Sequence, residues 1–192
     1  LIKIQKFVNH PLHKFLLITA LLFTTQLSWA QKRYQDLSFY RKSLPSQIAK
    51  QKFVEEIKSS LNNSTLEGIQ IAKLYLEYAI DQNDSDLILS ANYEMGVVFY
   101  KTAKRESSIY FISKASEYCQ RCQDSAMLVE IYRAQGASFF SLKQNEKAIE
   151  YFNYSYEIAY ILNDSVGMAK SLNNLSLVSA NLGEYEDALN YL

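Results

Sequence analysis

The chain has 192 residues, 48% hydrophobic and 14% aromatic, with a formal net charge of 0. This composition excludes an intrinsically disordered chain, and the balanced charge excludes the basic footprint of a nucleic-acid-binding protein. Only five glycines and two prolines occur, and so few helix breakers favour helices over a turn-rich β fold.

The first 30 residues have the plan of a secretory signal peptide. A basic head with three lysines and no acid precedes an uncharged apolar run at 15–27, and small residues stand at positions 28 and 30. The run is short for a bilayer span, which needs about 20 apolar residues, although an uncleaved anchor stays an alternative. We predict a signal peptide at 1–30 and a linker at 31–45, and removing the three lysines leaves a formal charge of −3. We therefore expect an exported protein, periplasmic or on the extracytoplasmic face of the inner membrane, with membrane contact through the signal segment or a helix beyond Leu192.

Beyond the linker, the sequence repeats at intervals of 40 residues. Asp84, Asp124 and Asp164 stand in one column, and each is followed by serine. Asp and Ser accept hydrogen bonds from the unpaired N–H groups of a helix's first turn, and a carboxylate there also meets the positive end of the helix dipole. Each Asp-Ser pair therefore predicts a helix start.

Apolar residues after these starts recur at helical spacing, and polar breaks divide each unit into two helices. The predicted helices lie near 46–61, 65–82, 85–101, 106–121, 125–141, 145–161, 165–181 and from 185 onward. They form a helical repeat domain at 46–192, with units near 46–83, 84–123, 124–163 and 164–192.

Small residues recur where the two helices of a unit would pack. Such residues on an apolar face indicate the close approach of another helix. On the first helix they are Gly96, Gly136 and Ser176, and on the second they are Ser108, Ala148 and Ala188.

This pattern resembles the tetratricopeptide repeat (TPR). In the second full unit the family's consensus positions are filled by Tyr132, Gly136, Phe139, Ala148, Phe152 and Ser155. The resemblance implies an all-α fold, an α-α superhelix of helix-turn-helix repeats. The 40-residue period exceeds the usual period of about 34 residues and fits HEAT-like helical pairs, which stay an alternative.

Both ends of the sequence indicate a fragment of a longer protein. The chain begins with Leu1 rather than Met, and its last helix stops in the middle of an apolar face. A repeat array also needs a polar capping helix, and the given sequence contains none.

Catalytic chemistry has few candidate residues. Both histidines, His10 and His13, lie in the basic head, so a cleaved chain contains none. This excludes histidine-based acid–base catalysis, serine or cysteine nucleophiles that histidine activates, and most zinc sites. No glycine-rich phosphate-binding motif occurs. We expect no enzyme activity, no cofactor and no metal.

One CxxC motif, Cys119 to Cys122, raises three interpretations. Cys119 falls in the column of Ala79 and Ala159, a small buried position, which favours packing residues or reduced thiols. A local disulfide that staples the helix end is the second interpretation. Redox chemistry is the third, although the βαβ context of thioredoxin-like proteins is missing.

The resemblance also implies a concave groove lined by the first helix of each unit. Its mixed aromatic and polar residues suit an extended peptide or a helix of a protein partner. These residues are Tyr93, Val97, Tyr100 and Lys101, then Glu130, Arg133, Ala137 and Phe140, then Lys170, Asn173, Leu177 and Asn181.

Proteins of similar layout indicate a non-catalytic interaction module. We expect the extracytoplasmic input region of a larger membrane-bound signalling protein, with a histidine kinase or a helix-turn-helix regulator as output. A free periplasmic scaffold in an envelope assembly is the alternative.

Overall fold

The computed structural model describes residues 46–122 and 125–192, except for the side chains at 120–122 and 125. The predicted signal peptide, the linker and Asp124 lie outside these residues. The described part is helical and contains no strand. Its helices are α1 (Ser46–Asn63), α2 (Thr65–Gln82), α3 (Ser85–Lys101), α4 (Arg105–Cys122), α5 (Ser125–Ser141), α6 (Asn145–Ile161), α7 (Ser165–Leu182) and α8 (Tyr185–Asn190). Within the described ranges, no helix combines the length and the apolarity that a membrane crossing requires.

The helices stack as consecutive pairs. Each helix packs against the next along the chain, and α1, α3, α5 and α7 also contact one another in sequence. We call these four the first helices and the other four the second helices. The observed bounds agree with the predicted bounds to within two residues, because periodicity and turn residues mark both ends of each helix.

Aspartates cap two of the first helices. A carboxylate oxygen of Asp84 accepts hydrogen bonds from the backbone N–H of Asp86 at 3.0 Å and of Leu87 at 3.1 Å. Asp164 accepts one from Gly167 at 2.9 Å. The predicted helix starts are therefore confirmed at these two positions, where a carboxylate satisfies donors that the helix itself leaves unpaired.

The turns also repeat at the 40-residue period. Between units, Asn83 and Asn163 have positive φ values of 49° and 56°. Within units, Ala103 and Lys143 both have a φ of 60°, and Gly183 has a φ of 83°. Glycine adopts this left-handed conformation without steric cost, whereas a side chain with a Cβ does not. Two of the four within-unit turns, those at Ala103 and Lys143, therefore contain a strained residue.

We expect Ala103→Gly and Lys143→Gly to stabilise the protein by about 0.5–1 kcal/mol each. The relief of about 1–2 kcal/mol of left-handed strain outweighs the larger entropy that glycine loses on folding. Urea denaturation measures the effect. The control is Gly183→Ala, which meets no atom within 4 Å but should destabilise through its φ alone. A stabilising Gly183→Ala variant would contradict the explanation.

The glycine columns lie at helix crossings. A Cβ built on Gly96 would lie 2.4 Å from Cδ1 of Ile112, and one on Gly136 would lie 2.6 Å from Cδ1 of Phe152. The Ser108 hydroxyl donates to the carbonyl oxygen of Gly96 at 2.9 Å. Ser176 in turn donates to the carbonyl oxygen of Ala188 at 2.8 Å. These contacts set the distance between the two helices of a unit.

A chain of buried hydroxyls joins α5, α6 and α7. Ser171 donates to Ser155 at 2.9 Å, and Ser155 donates to the carbonyl oxygen of Val129 at 2.8 Å. Forty residues earlier, the same two positions hold Ala115 and Ile131, which are both fully buried. Successive junctions thus share a backbone arrangement but differ in polarity.

Candidate functional site

The residues assigned to the groove by the resemblance lie on α3, α5 and α7. On α3, Tyr93 and Val97 are half-buried while Tyr100 and Lys101 are exposed. All four groove positions of α5 are half-buried, and all four of α7 are exposed. We define the first-helix face as these residues together with Lys50, Lys58 and Glu94, which are described below. Its members are Lys50, Lys58, Tyr93, Glu94, Val97, Tyr100, Lys101, Glu130, Arg133, Ala137, Phe140, Lys170, Asn173, Leu177 and Asn181.

Glu130 is the centre of one charged cluster on this face. Its carboxylate pairs with the guanidinium of Arg133 one turn along α5. It also accepts a hydrogen bond at 3.2 Å from the Lys170 ammonium, which belongs to α7 of the next unit. The cluster is open to solvent, since the side chains of Arg133, Glu130 and Lys170 are 28%, 32% and 48% exposed.

Tyr93 of α3 extends this cluster to a third first helix. Burial raises the pKa of its hydroxyl to about 12, and the nearby Glu130 charge adds to the rise while Arg133 opposes it. Partial burial would also raise the pKa of Glu130, but its hydrogen bonds and ion pairs with Arg133 and Lys170 outweigh burial and lower it. The structure therefore brings four of the groove residues together across α3, α5 and α7.

Glu94 is the centre of a second cluster, between α1 and α3. It is 9% exposed, and burial raises its pKa despite the opposing charges of Lys58, Lys101 and Lys50. Sequence reasoning missed Glu94 and the two α1 lysines. The available signal was the spacing of Glu94 and Lys101, which are seven residues apart and so share one face of a helix.

Removing the charge of Glu94 and removing that of Glu130 should change the stability of the protein in opposite directions. Because folding raises the pKa of Glu94, its charged form costs stability, and this cost appears as pH rises above the unfolded value of about 4.3. Folding lowers the pKa of Glu130, so its contribution is present above that value and is lost as pH falls through the folded pKa.

We accordingly expect Glu94→Gln to raise the melting temperature at pH 7 and Glu130→Gln to lower it. The Glu130 effect should stay below about 1 kcal/mol because the pair is partly exposed. Thermal melts from pH 3 to pH 8 measure both variants. Differences of the same sign at pH 7, or differences that persist at pH 3, would contradict the assignment.

The remaining groove residues join neither cluster. The Arg105 guanidinium lies 5.2 Å from the centre of the Tyr100 ring. Phe140 packs against the core formed by Ala148, Phe152 and Leu175. Asn173 and Asn181 are exposed on α7. These side chains add aromatic and amide groups to the first-helix face.

Cys119 is a core residue of α4 and is not a member of the first-helix face. Cys119 is fully buried in a core cluster with Ile112, Ala115 and Ile131, and Ala79 and Ala159 are fully buried at the matching positions. The side chain of Cys122 lies outside the described residues, and with it the predicted choice between a disulfide and two thiols. Among the residues that the structure does describe, no group of three potential metal ligands occurs.

Comparison with known proteins shows the fold. No family model and no curated protein matches the sequence. Among solved structures, BtubC (BKLC) from P. vanneervenii is similar with a TM-score of 0.67 and 14% identity, covering 87% of this chain and 70% of that chain. A putative kinesin light chain from Podosopora anserina, with nearly identical TPR-like repeats, has a TM-score of 0.63 and 12% identity, covering 95% and 93%. A single-residue variant of that protein has a TM-score of 0.65 and 12% identity, covering 86% and 84%. The predicted TPR-like helical fold is thereby confirmed.

Proposed function

We propose that this repeat region is a non-catalytic module that binds a protein partner, as an extended peptide or a helix, along the first-helix face. The observation that carries the proposal is the composition of that face. Three successive first helices bring aromatic, cationic and amide side chains together, and most of these stay partly open to solvent. Aromatic and arginine side chains are the residues that contribute most to binding at protein interfaces.

The arrangement of helices supports an input role. A partner that contacts α3, α5 and α7 at once touches three units of a stack in which each unit packs only on its neighbours. If the partner binds one curvature of the stack more tightly than another, it shifts the stack toward that curvature. We infer that such a shift passes to an output domain, a histidine kinase or a helix-turn-helix regulator, of a larger membrane-bound protein.

Site-specific photo-crosslinking in the source cells tests the binding surface. A photoreactive residue at Asn173 or Leu177, both exposed on the face, should give discrete protein adducts. The matched control is Glu157, which is exposed on the second helix α6. Equal adducts from both surfaces, or none from the face, would contradict the proposal.

The extracytoplasmic location is tested separately. A reporter that is active only outside the cytoplasm, fused after Leu192, should be active with residues 1–30 present and inactive without them. Activity that does not depend on residues 1–30 would contradict export. Membrane retention of the full-length protein would favour the membrane-bound receptor, and its release as a soluble periplasmic protein would favour the scaffold alternative.

A further inference from the structure

Charge is distributed unevenly over the repeat region. Residues 46–192 contain 13 Lys and Arg against 19 Asp and Glu. The first-helix face holds five of those cations, Lys50, Lys58, Lys101, Arg133 and Lys170, but only two of the carboxylates. The remaining sequence of the region therefore has eight cations against 17 carboxylates. A cationic face on an otherwise acidic region attracts an anionic partner and repels a cationic one.

The cationic face already holds one carboxylate between two of its cations. Glu130 accepts from both Arg133 and Lys170, and the latter comes from the next unit. Glu94, the other carboxylate of the face, interacts instead with the lysines of α1 and α3. Glu130 is thus an internal occupant of a two-cation site that spans two units.

The Arg133 guanidinium has donors to spare. Its Nε–H is buried and makes no hydrogen bond within the described residues, although Nη2 pairs with Glu130. Guanidinium groups bind carboxylates best through two parallel N–H donors. Two-donor binding of an incoming carboxylate therefore requires that it replace Glu130 and that the guanidinium turn to expose Nε.

We propose that the first-helix face selects an acidic peptide segment, whose carboxylate displaces Glu130 from Arg133 and Lys170. This inference rests on the proposed function, because it names the chemistry of the partner that the face binds. Displacement releases the Glu130–Lys170 link between adjacent first helices. Binding of the acidic peptide therefore loosens the contact between α5 and α7.

Peptide titrations of the full chain test the proposal. The probe is a fluorescein-labelled octapeptide of alternating glutamate and serine, and the matched probe replaces glutamate with lysine. We expect the acidic probe alone to bind in low salt and its affinity to fall as salt screens the charges. Removing the competing carboxylate with Glu130→Gln should tighten binding roughly tenfold.

Neutral variants of the two cations should act in the opposite direction. Arg133→Gln and Lys170→Gln should each weaken binding roughly tenfold. Lys114→Gln is the control, because Lys114 is a cation of the second helix α4 that pairs with Glu117, and it should change the dissociation constant less than about twofold. Circular dichroism of each variant checks that the helices are retained.

Several outcomes would overturn the inference. One is binding of the lysine probe as tightly as the acidic probe, which would remove the charge selectivity. The others are an affinity for the acidic probe that is unchanged or lower in Glu130→Gln, or unchanged in Arg133→Gln. An oligonucleotide of equal charge that binds as tightly as the peptide would overturn the assignment to a protein segment.

Competition separates this inference from the proposed function. If Asn173 crosslinks a partner that excess acidic peptide does not displace, the proposed function stands and the inference fails. If the acidic peptide binds as predicted but no partner crosslinks in cells, the charge selectivity stands and the proposed function fails.

Discussion

Gly96→Ala is expected to lower the free energy of unfolding by about 2–3 kcal/mol, although alanine is the better helix former by about 1 kcal/mol. The added methyl group would lie 2.4 Å and 2.5 Å from Cδ1 and Cγ1 of Ile112, and 3.1 Å from the backbone nitrogen of that residue. Rotation of Ile112 can relieve the side-chain contacts, but the backbone contact requires α3 and α4 to separate. Urea denaturation of the variant and the wild type measures the loss.

A double-mutant cycle with Ile112→Ala tests the cause. Ile112 is fully buried, so its truncation alone should cost about 2–5 kcal/mol. The double variant should lose less than the sum of the two single losses, by about 1 kcal/mol or more, since the methyl group added at position 96 enters space that Ile112 vacates. Additive losses would show that the contact with Ile112 is not the reason.

The last unit provides a natural control for the same column. Ser176 occupies the position of Gly96 two periods later, and its hydroxyl donates to the carbonyl oxygen of Ala188 at 2.8 Å. Because serine already has a Cβ, its replacement by alanine adds no atom at this crossing. We therefore expect Ser176→Ala to cost only the hydrogen bond to Ala188, about 1 kcal/mol.

The fold was predictable because its signals are local and repeated. Asp84 and Asp164 mark helix starts through hydrogen bonds to their own first turns, and these bonds depend on residues at most three positions away. The 40-residue period then places every later helix by analogy with an earlier one. Positions 103, 143 and 183 even share a left-handed turn, although only the last is glycine.

The charged clusters were less predictable because they join distant parts of the chain. The groove positions came from the resemblance, which predicted that Glu130 and Lys170 share one face but did not predict that they form an ion pair. Glu94 stood one residue beyond a groove position, and nothing in α3 alone indicated that Lys50 and Lys58 of α1 would reach it. Such partners depend on how two first helices stack, and the stacking follows from packing across the whole repeat.

Phe53→Ala should release α1 from the stack, with a loss of about 3–5 kcal/mol for the unit that contains it. Phe53 is 2% exposed, and its ring stacks on Tyr75 at 4.9 Å and lies 5.5 Å from Tyr78. These contacts join α1 to α2. Because each unit of a repeat protein packs only on its neighbours, the loss should stay local.

Hydrogen–deuterium exchange shows which helices lose stability in the variant. Amides of α1 should lose protection in the Phe53→Ala variant while those of α7 keep theirs. Ile48→Ala is the matched control, since Ile48 lies on the same helix but is 47% exposed, and its effect should stay within about 0.5 kcal/mol. Loss of protection throughout the chain would show that the units unfold as one body.

The same variant separates the two clusters of the first-helix face. Release of α1 takes Lys50 and Lys58 away from Glu94 but leaves Glu130, Arg133 and Lys170 in place, since their helices, α5 and α7, do not contact α1. Binding of the acidic peptide should therefore weaken in Phe53→Ala, while the tightening caused by Glu130→Gln is retained in the double variant. If the tightening disappears, the two clusters depend on one another, and the cationic face acts as a single site whose geometry α1 maintains.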